Sequence, residues 1–103
     1  MLLYDYAYVL INMEQYRQAS AVLKQVCELN PQDGQAAFAL ACSYVALGQM
    51  DQAWPILTRL ASSHAREMPA WLEGDKPYQK AIRKDPRYAE LHKSIEAARQ
   101  RAP

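Results

Sequence analysis

Apolar residues in the first two thirds of the chain recur at steps of three and four, which places them on one face of an α-helix. Four such stripes follow one another: Leu3, Tyr6, Ala7 and Leu10; Ala19, Leu23 and Val26; Ala37, Leu40, Ala41 and Tyr44; Ala53, Leu57 and Leu60. Turn-forming residues separate the stripes at 12–15, at Asn30-Pro31 and at Gly48. The pattern predicts four helices and an all-α fold.

The four stripes form two pairs that repeat with a period of 34 residues. A shift of 34 aligns Tyr6 with Leu40, Ala19 with Ala53, and Leu23 with Leu57. A fixed period of this length is typical of helical repeats, in which each unit stacks on its neighbours. Each pair is therefore predicted to be a helical hairpin, with alanines where the two helices cross most closely.

Capping rules suggest where two later helices begin. Asp51 is expected to be the N-cap of the second hairpin's second helix, so that Pro55 would fall in the first turn, where a missing N–H matters little. Asp85 is expected to cap the last helix, with Pro86 at its first position.

The pattern degrades after Ser63, where three prolines precede the last helix. A short helix is predicted to begin near Lys76-Pro77. A final helix carries an apolar stripe, and its other faces are polar, as the end of a stack requires. Trp71 and Leu72 are expected to fill the hollow between the helix of Ala53 and this cap, although a surface role for Trp71 stays open.

The motifs resemble the tetratricopeptide repeat (TPR). They are Leu3-x2-Tyr6-Ala7-x2-Leu10, Ala19-x3-Leu23 and Pro31, then Ala37-x2-Leu40-Ala41-x2-Tyr44, Gly48 and Ala53-x3-Leu57. The chain departs from the family at Glu14, where Gly is usual, at Ala65, where Pro is usual, and at Leu3 and Ala37, where Trp is usual. The resemblance implies a TPR-like stack of antiparallel hairpins: two repeats in 1–65 (1–33 and 34–65), then a degenerate third repeat and a capping helix in 66–103 of the same domain.

Composition narrows the function. At 103 residues the chain has room for one domain, and a net charge of +1 argues against nucleic-acid binding driven by phosphate neutralisation. The apolar run MLLYDYAYVLI lacks the features of a signal peptide and is too short to span a bilayer. Cys27 and Cys42 are interpreted as buried or half-buried thiols, which favours a cytoplasmic location. Because the helical pattern starts without a cap, a longer natural protein is also possible.

No constellation of catalytic residues occurs in the sequence. His64 and His92 lie far apart, with no cysteine or carboxylate at ligand spacing, and no nucleophile motif or phosphate loop is present. The protein is therefore predicted to be a non-enzyme without a cofactor or metal.

The first helix of each repeat carries a second apolar stripe beside the first. The resemblance implies that these residues line a concave groove, at Tyr4, Asp5, Tyr8, Ile11 and Asn12 in one repeat and at Phe38, Cys42 and Val45 in the next. Apart from Asn12, the groove lacks the Lys, Arg and Asn residues with which some TPR domains clamp a carboxylate. Its apolar character is similar to that of small TPR chaperones of bacterial type III secretion.

Two functions follow as hypotheses. The groove could receive an apolar helix or extended segment of a partner protein, as an assembly or secretion chaperone does. Alternatively, the chain is a self-associating scaffold fragment, and a homodimer would hide Tyr4 and Tyr8. In the first case, replacing Tyr8 and Phe38 by Ala should weaken partner binding by several kcal/mol and leave melting nearly unchanged.

Overall fold

Seven helices make up the part of the chain that the computed structural model describes, residues 3–101, and no strand occurs there. The helices are α1 (Leu3–Asn12), α2 (Tyr16–Leu29), α3 (Gly34–Ala46), α4 (Met50–Ser63), α5 (Met68–Leu72), α6 (Pro77–Lys84) and α7 (Tyr88–Arg101). The all-α prediction is confirmed, and four helices coincide with the four apolar stripes.

The helices stack as pairs. Helix α1 packs against α2, and α3 packs against α4, while α2 and α3 bring the two hairpins together. The third pair continues the stack, because α6 packs on α3 and α7 packs on α4. Helix α5 is a single turn in the connection between α4 and α6.

The core consists of two clusters that meet at α3. One lies mainly between α1 and α2 and includes Leu40 of α3. The other extends from Phe38 and Cys42 of α3 through α4 to Ile82 and Ile95 of the third pair. The small residues expected at the crossings, Ala7, Ala19, Ala41 and Ala53, have no exposed surface. Close approach of the helix backbones accounts for this burial.

The predicted cap of α4 was wrong. Gly48 reverses the chain with φ 77°, which makes Gln49 the N-cap and starts the helix at Met50. Pro55 therefore lies in the second turn rather than the first. In the second turn its ring nitrogen has no N–H to donate to the Asp51 carbonyl. Both residues are exposed. Asp51 instead accepts a hydrogen bond from the Arg87 guanidinium, at 3.2 Å, and so connects α4 to the start of α7.

The Asp85 prediction is correct in part. Its carboxylate accepts the backbone N–H of Arg87 at 2.9 Å, as a capping side chain does, and its carbonyl accepts that of Tyr88. The helix nevertheless begins at Tyr88, because Pro86 and Arg87 form a turn before it. Helix α6 starts at Pro77, as predicted. Its residue Ile82 is completely buried.

Two residues of the first apolar stripe do not face the core. Ala7 and Leu10 are buried, whereas Leu3 and Tyr6 are 41% and 45% exposed. The equivalent of Tyr6 in the second hairpin, Leu40, is 6% exposed because it packs against the first hairpin. Within residues 3–101, α1 packs mainly against α2 and α3, and Tyr6 lies on the side that neither covers.

Glu14 and Gly48 occupy the same position of successive hairpin turns, and both have positive φ, at 60° and 77°. A residue with a Cβ is strained there by about 1 kcal/mol or more, whereas glycine is not. We expect Glu14→Gly to raise the free energy of unfolding by about 1 kcal/mol and Gly48→Ala to lower it by a similar amount. Urea denaturation of both variants measures the change. Equal destabilisation by the two substitutions would contradict the equivalence of the two turns.

Candidate functional site

A cleft of about 300 Å³ lies between the first helices of the two hairpins and the connection that leads to the third pair. We call it the aromatic cleft because five aromatic side chains from four helices line it. Its residues are Tyr4, Tyr8 and Ile11 of α1; Gln35, Phe38, Ala39 and Cys42 of α3; Ala70 and Trp71 of α5; and Tyr78 and Gln79 of α6. None of these side chains carries a formal charge at neutral pH.

Contacts between aromatic rings hold Trp71, which forms one wall of the aromatic cleft, in place. The Trp71 and Phe38 ring centroids are 5.5 Å apart in a tilted arrangement, and the His64 ring lies 6.0 Å away from the Trp71 ring. Tyr78 meets Tyr16 edge to face at 6.3 Å. Such pairs favour fixed ring orientations, so these aromatic surfaces are held in place before any ligand binds.

Hydrogen bonds to main-chain carbonyls fix the same wall. The Gln79 amide nitrogen donates to the Trp71 carbonyl at 2.9 Å, and the Gln79 amide oxygen accepts the Lys76 N–H. Arg83 donates to the carbonyls of Leu72 and Gly74, which ties the connection between α5 and α6 to α6 itself. A side chain at Gly74 would collide with Gln79, since a Cβ there would lie 2.2 Å from Oε1.

Burial raises the pKa of three groups that line the aromatic cleft, Cys42, Tyr78 and Tyr4. It raises the pKa of the Cys42 thiol far above its usual range, so this cysteine is not available as a thiolate nucleophile or ligand. Burial, assisted by Cys42, Tyr16 and Tyr8, raises the pKa of Tyr78 to about 12. The pKa of Tyr4 is raised by burial and then by the nearby Asp33. The aromatic cleft is therefore suited to apolar groups and to polar groups that hydrogen-bond to neutral tyrosine hydroxyls.

Five of the eight predicted groove residues line the aromatic cleft: Tyr4, Tyr8, Ile11, Phe38 and Cys42. The other three do not. Asp5 and Asn12 are exposed on α1 outside it, and Val45, which is 8% exposed, belongs to the core. The structure thus brings the aromatic members of the predicted set together with Ile11 and Cys42, and it places Asp5, Asn12 and Val45 outside the cleft.

Phe38 has a larger structural role than the sequence suggested. It is 8% exposed and belongs to the core cluster beneath Trp71. Removing its ring should leave a cavity and cost about 3–5 kcal/mol of stability. The expectation that Tyr8→Ala combined with Phe38→Ala would leave melting unchanged is therefore not supported, because only Tyr8, at 55% exposure, is largely free of the core.

The wall formed by α5 and α6 was missing from the predicted groove. Trp71 was expected to fill a hollow between α4 and the capping helix; its ring packs on Phe38 and lines the aromatic cleft, and Tyr78 and Gln79 line it as well. The sequence offered one signal, which was Tyr78 on the apolar side of α6, a short helix that carries lysines on its other side. No periodic pattern placed that helix against α3.

These features define a helical-repeat protein with a concave aromatic face. The chain belongs to the tetratricopeptide repeat family, whose model matches residues 10–73, more than half of the 103-residue chain. The match runs from the end of α1 to just beyond α5. Comparison with curated proteins and with solved structures found no match. Repeats of this family are generally protein–protein interaction modules rather than enzymes, which supports an interaction role.

Residues 3–101 also show no candidate metal site and no membrane-spanning helix. That range contains no group of three or more His, Cys, Asp or Glu side chains placed to hold a metal ion. None of its helices has the length and hydrophobicity that crossing a membrane requires. Cys27 and Cys42 are free thiols, half-buried and buried respectively, as the sequence indicated.

The raised pKa of Tyr78 predicts a loss of stability in alkali. Between pH 10 and about pH 12 the unfolded chain ionises Tyr78 while the folded chain keeps it protonated, so the unfolded state binds fewer protons and the free energy of unfolding falls as pH rises. We expect Tyr78→Phe to lose less stability than the parent chain over this window. Urea denaturation at several pH values measures it, with Tyr6→Phe, an exposed site, as control. Equal losses in the Tyr78→Phe variant and the parent would contradict the assignment.

Proposed function

We propose that the aromatic cleft binds an apolar or amphipathic segment of a partner protein. The observation that carries this proposal is the lining itself, which presents aromatic surface from four helices without a formal charge. Tyr8 is more than half exposed, and Tyr4, Trp71 and Tyr78 are half-buried, so their surfaces are accessible to a ligand. An exposed concave apolar surface of this kind usually marks an interaction site.

Binding would draw its free energy from burial of these rings. Each square ångström of apolar surface removed from water contributes roughly 25 cal/mol, and tyrosine and tryptophan lose little conformational entropy when they are ordered. The phenol groups of Tyr4 and Tyr8 can hydrogen-bond at the rim while their rings contact the partner. An amphipathic helix with apolar residues at i, i+3, i+4 and i+7 matches such a surface.

Recognition of a terminal carboxylate is not expected at this site. A carboxylate clamp needs lysine, arginine or asparagine side chains directed at the anion, and none lines the aromatic cleft. Asn12, the one residue that such a clamp shares with this chain, lies outside the cleft. The charged group that acts most strongly on the rim phenol of Tyr4 is itself an anion, Asp33. Partner selection would therefore depend on apolar side chains.

A chaperone role is the more specific form of the proposal. The small size of the chain and the apolar composition of its cleft support a bacterial assembly or type III secretion chaperone that shields an aggregation-prone segment in the cytoplasm. Free thiols suit a reducing compartment. Such a chaperone would keep its client segment soluble by covering the apolar face that otherwise self-associates.

Two tyrosines of α1 provide a matched test of the proposal. Tyr8 lines the aromatic cleft at 55% exposure, whereas Tyr6, at 45% exposure, does not line it. We expect Tyr8→Ala to weaken binding of amphipathic peptides about tenfold or more, while Tyr6→Ala leaves binding unchanged. The probes are fluorescein-labelled synthetic peptides with Leu, Phe or Ile at i, i+3, i+4 and i+7, and fluorescence anisotropy gives the affinities.

Scrambled peptides of the same composition serve as the ligand control, because scrambling removes the apolar face and keeps the total hydrophobicity. Urea denaturation confirms that both variants remain folded at the assay temperature. Equal weakening by Tyr8→Ala and Tyr6→Ala would show non-specific contact with α1 and refute the cleft assignment. If no peptide of the panel bound saturably, the proposal as a whole would be refuted.

A further inference from the structure

The lining of the aromatic cleft is aromatic rather than aliphatic. Five of the lining residues that the structure describes contribute an aromatic ring, whereas one, Ile11, contributes a large aliphatic side chain. Leucine or valine of a partner would pack equally well against an aliphatic wall, so the rings add a property beyond hydrophobicity. The face of an aromatic ring carries partial negative charge and attracts cations.

The volume of the aromatic cleft limits what can enter it. About 300 Å³ is available, which is at the lower end of the roughly 300–1,000 Å³ that is typical of ligand pockets. A whole helix of a partner does not fit into such a volume. A bound segment would therefore lie across the opening and insert one or two side chains, and specificity depends on which side chain enters.

The formal charges that act on the aromatic cleft are negative. Burial raises the pKa of Tyr4, and Asp33 and Asp5 are among the groups that raise it further. Asp33 is held at the start of α3, where its carboxylate accepts the Ala36 N–H at 3.1 Å. Among residues 3–101, no lysine, arginine or histidine lines the cleft. A positively charged group that entered it would thus meet ring faces and nearby carboxylates.

We propose that the aromatic cleft takes an arginine side chain of the bound segment, with the guanidinium group against the rings of Tyr8 and Tyr78. This inference rests on the proposed function, since it names the side chain that anchors the segment. The planar guanidinium group stacks on aromatic rings and is more weakly hydrated than the ammonium group of lysine, so it is easier to bring into a partly buried site. Neutral phenol oxygens, such as that of Tyr4, can accept its N–H groups.

The arginine would determine the register of the segment rather than its whole affinity. Apolar residues on either side of it would contact the remaining lining and the rim, and burial of their surface would supply most of the free energy of binding. One position of the segment can place a guanidinium group in the cleft while its apolar neighbours keep these contacts. Removal of the positive charge should therefore weaken binding without abolishing it.

Four labelled peptides test the inference. They share one amphipathic helix and differ at a central position, which is arginine, citrulline, lysine or leucine. Citrulline has the shape of arginine but no charge. We expect the arginine peptide to bind about fivefold more tightly than the citrulline peptide, with the lysine peptide between them. Fluorescence anisotropy at constant ionic strength gives the affinities. Tighter binding of the lysine peptide than of the arginine peptide would overturn the choice of arginine.

An isosteric substitution tests the contribution of the nearby carboxylate. Asp33→Asn removes the charge and keeps a capping side chain, because Asn is as good an N-cap as Asp. We expect it to weaken binding of the arginine peptide about threefold and to leave the leucine peptide unchanged. Glu28→Gln, at an exposed position of α2 outside the cleft, makes the same change in net charge and serves as control. Equal weakening by both variants would show a general effect of net charge and contradict a local one.

A third variant tests the ring contact. Tyr8→Leu keeps an apolar side chain at a site that is 55% exposed but removes the aromatic face. We expect it to weaken the arginine peptide about fivefold and the leucine peptide much less. Equal weakening of both peptides would overturn the ring contact. If the leucine peptide bound saturably while the arginine and citrulline peptides bound equally well, the arginine inference would fail and the proposed function would stand. If no peptide bound, both would fail.

Discussion

Helix α3 is covered on two sides at once, and the rest of the structure depends on this requirement. Nine of its thirteen residues are buried, which leaves it without a solvent-facing stripe of ordinary width. Leu40 packs into the first hairpin, while Phe38 and Cys42 pack towards the third pair. Neither neighbour alone can cover both sides, so each stabilises the other through α3, as adjacent units of a helical repeat do.

Helices α7 and α1 differ in the same respect. Helix α7 covers α4 and carries charged residues on its exposed side. Helix α1 repeats the apolar pattern of α3, but within residues 3–101 no helix covers the side that carries Tyr6. The side that is buried on α3 is exposed on α1, although the two helices share the same apolar pattern.

The hairpins could be predicted from the sequence because local spacing determines them. Steps of three and four specify each helix, and the 34-residue shift pairs them without reference to distant contacts. The turn at Glu14 could be recognised by its equivalence to Gly48, and the structure gives both a positive φ. Helix starts were less predictable. The N-cap preference of Asp51 did not prevail, because Gly48 had already fixed where the chain reverses.

The part of the aromatic cleft formed by α5 and α6 could not be predicted for a physical reason. Its position depends on Arg83 and Gln79, whose side chains reach the main-chain carbonyls of Leu72, Gly74 and Trp71. Bonds of this kind join a side chain to a backbone group eight to eleven residues away and leave no periodic trace in the sequence. The burial of Phe38 follows from the same contacts, since α5 brings Trp71 over it.

Helix α1 combines these constraints within ten residues. Its apolar residues cover α2 and contribute Tyr4 and Tyr8 to the aromatic cleft, which leaves little room for charge and accounts for Asp5 as its sole charged residue. Within residues 3–101, α1 packs against α2 and α3, whereas α3 also packs against α4 and α6. A ligand in the cleft would bind only folded α1, so it would stabilise the helix by mass action.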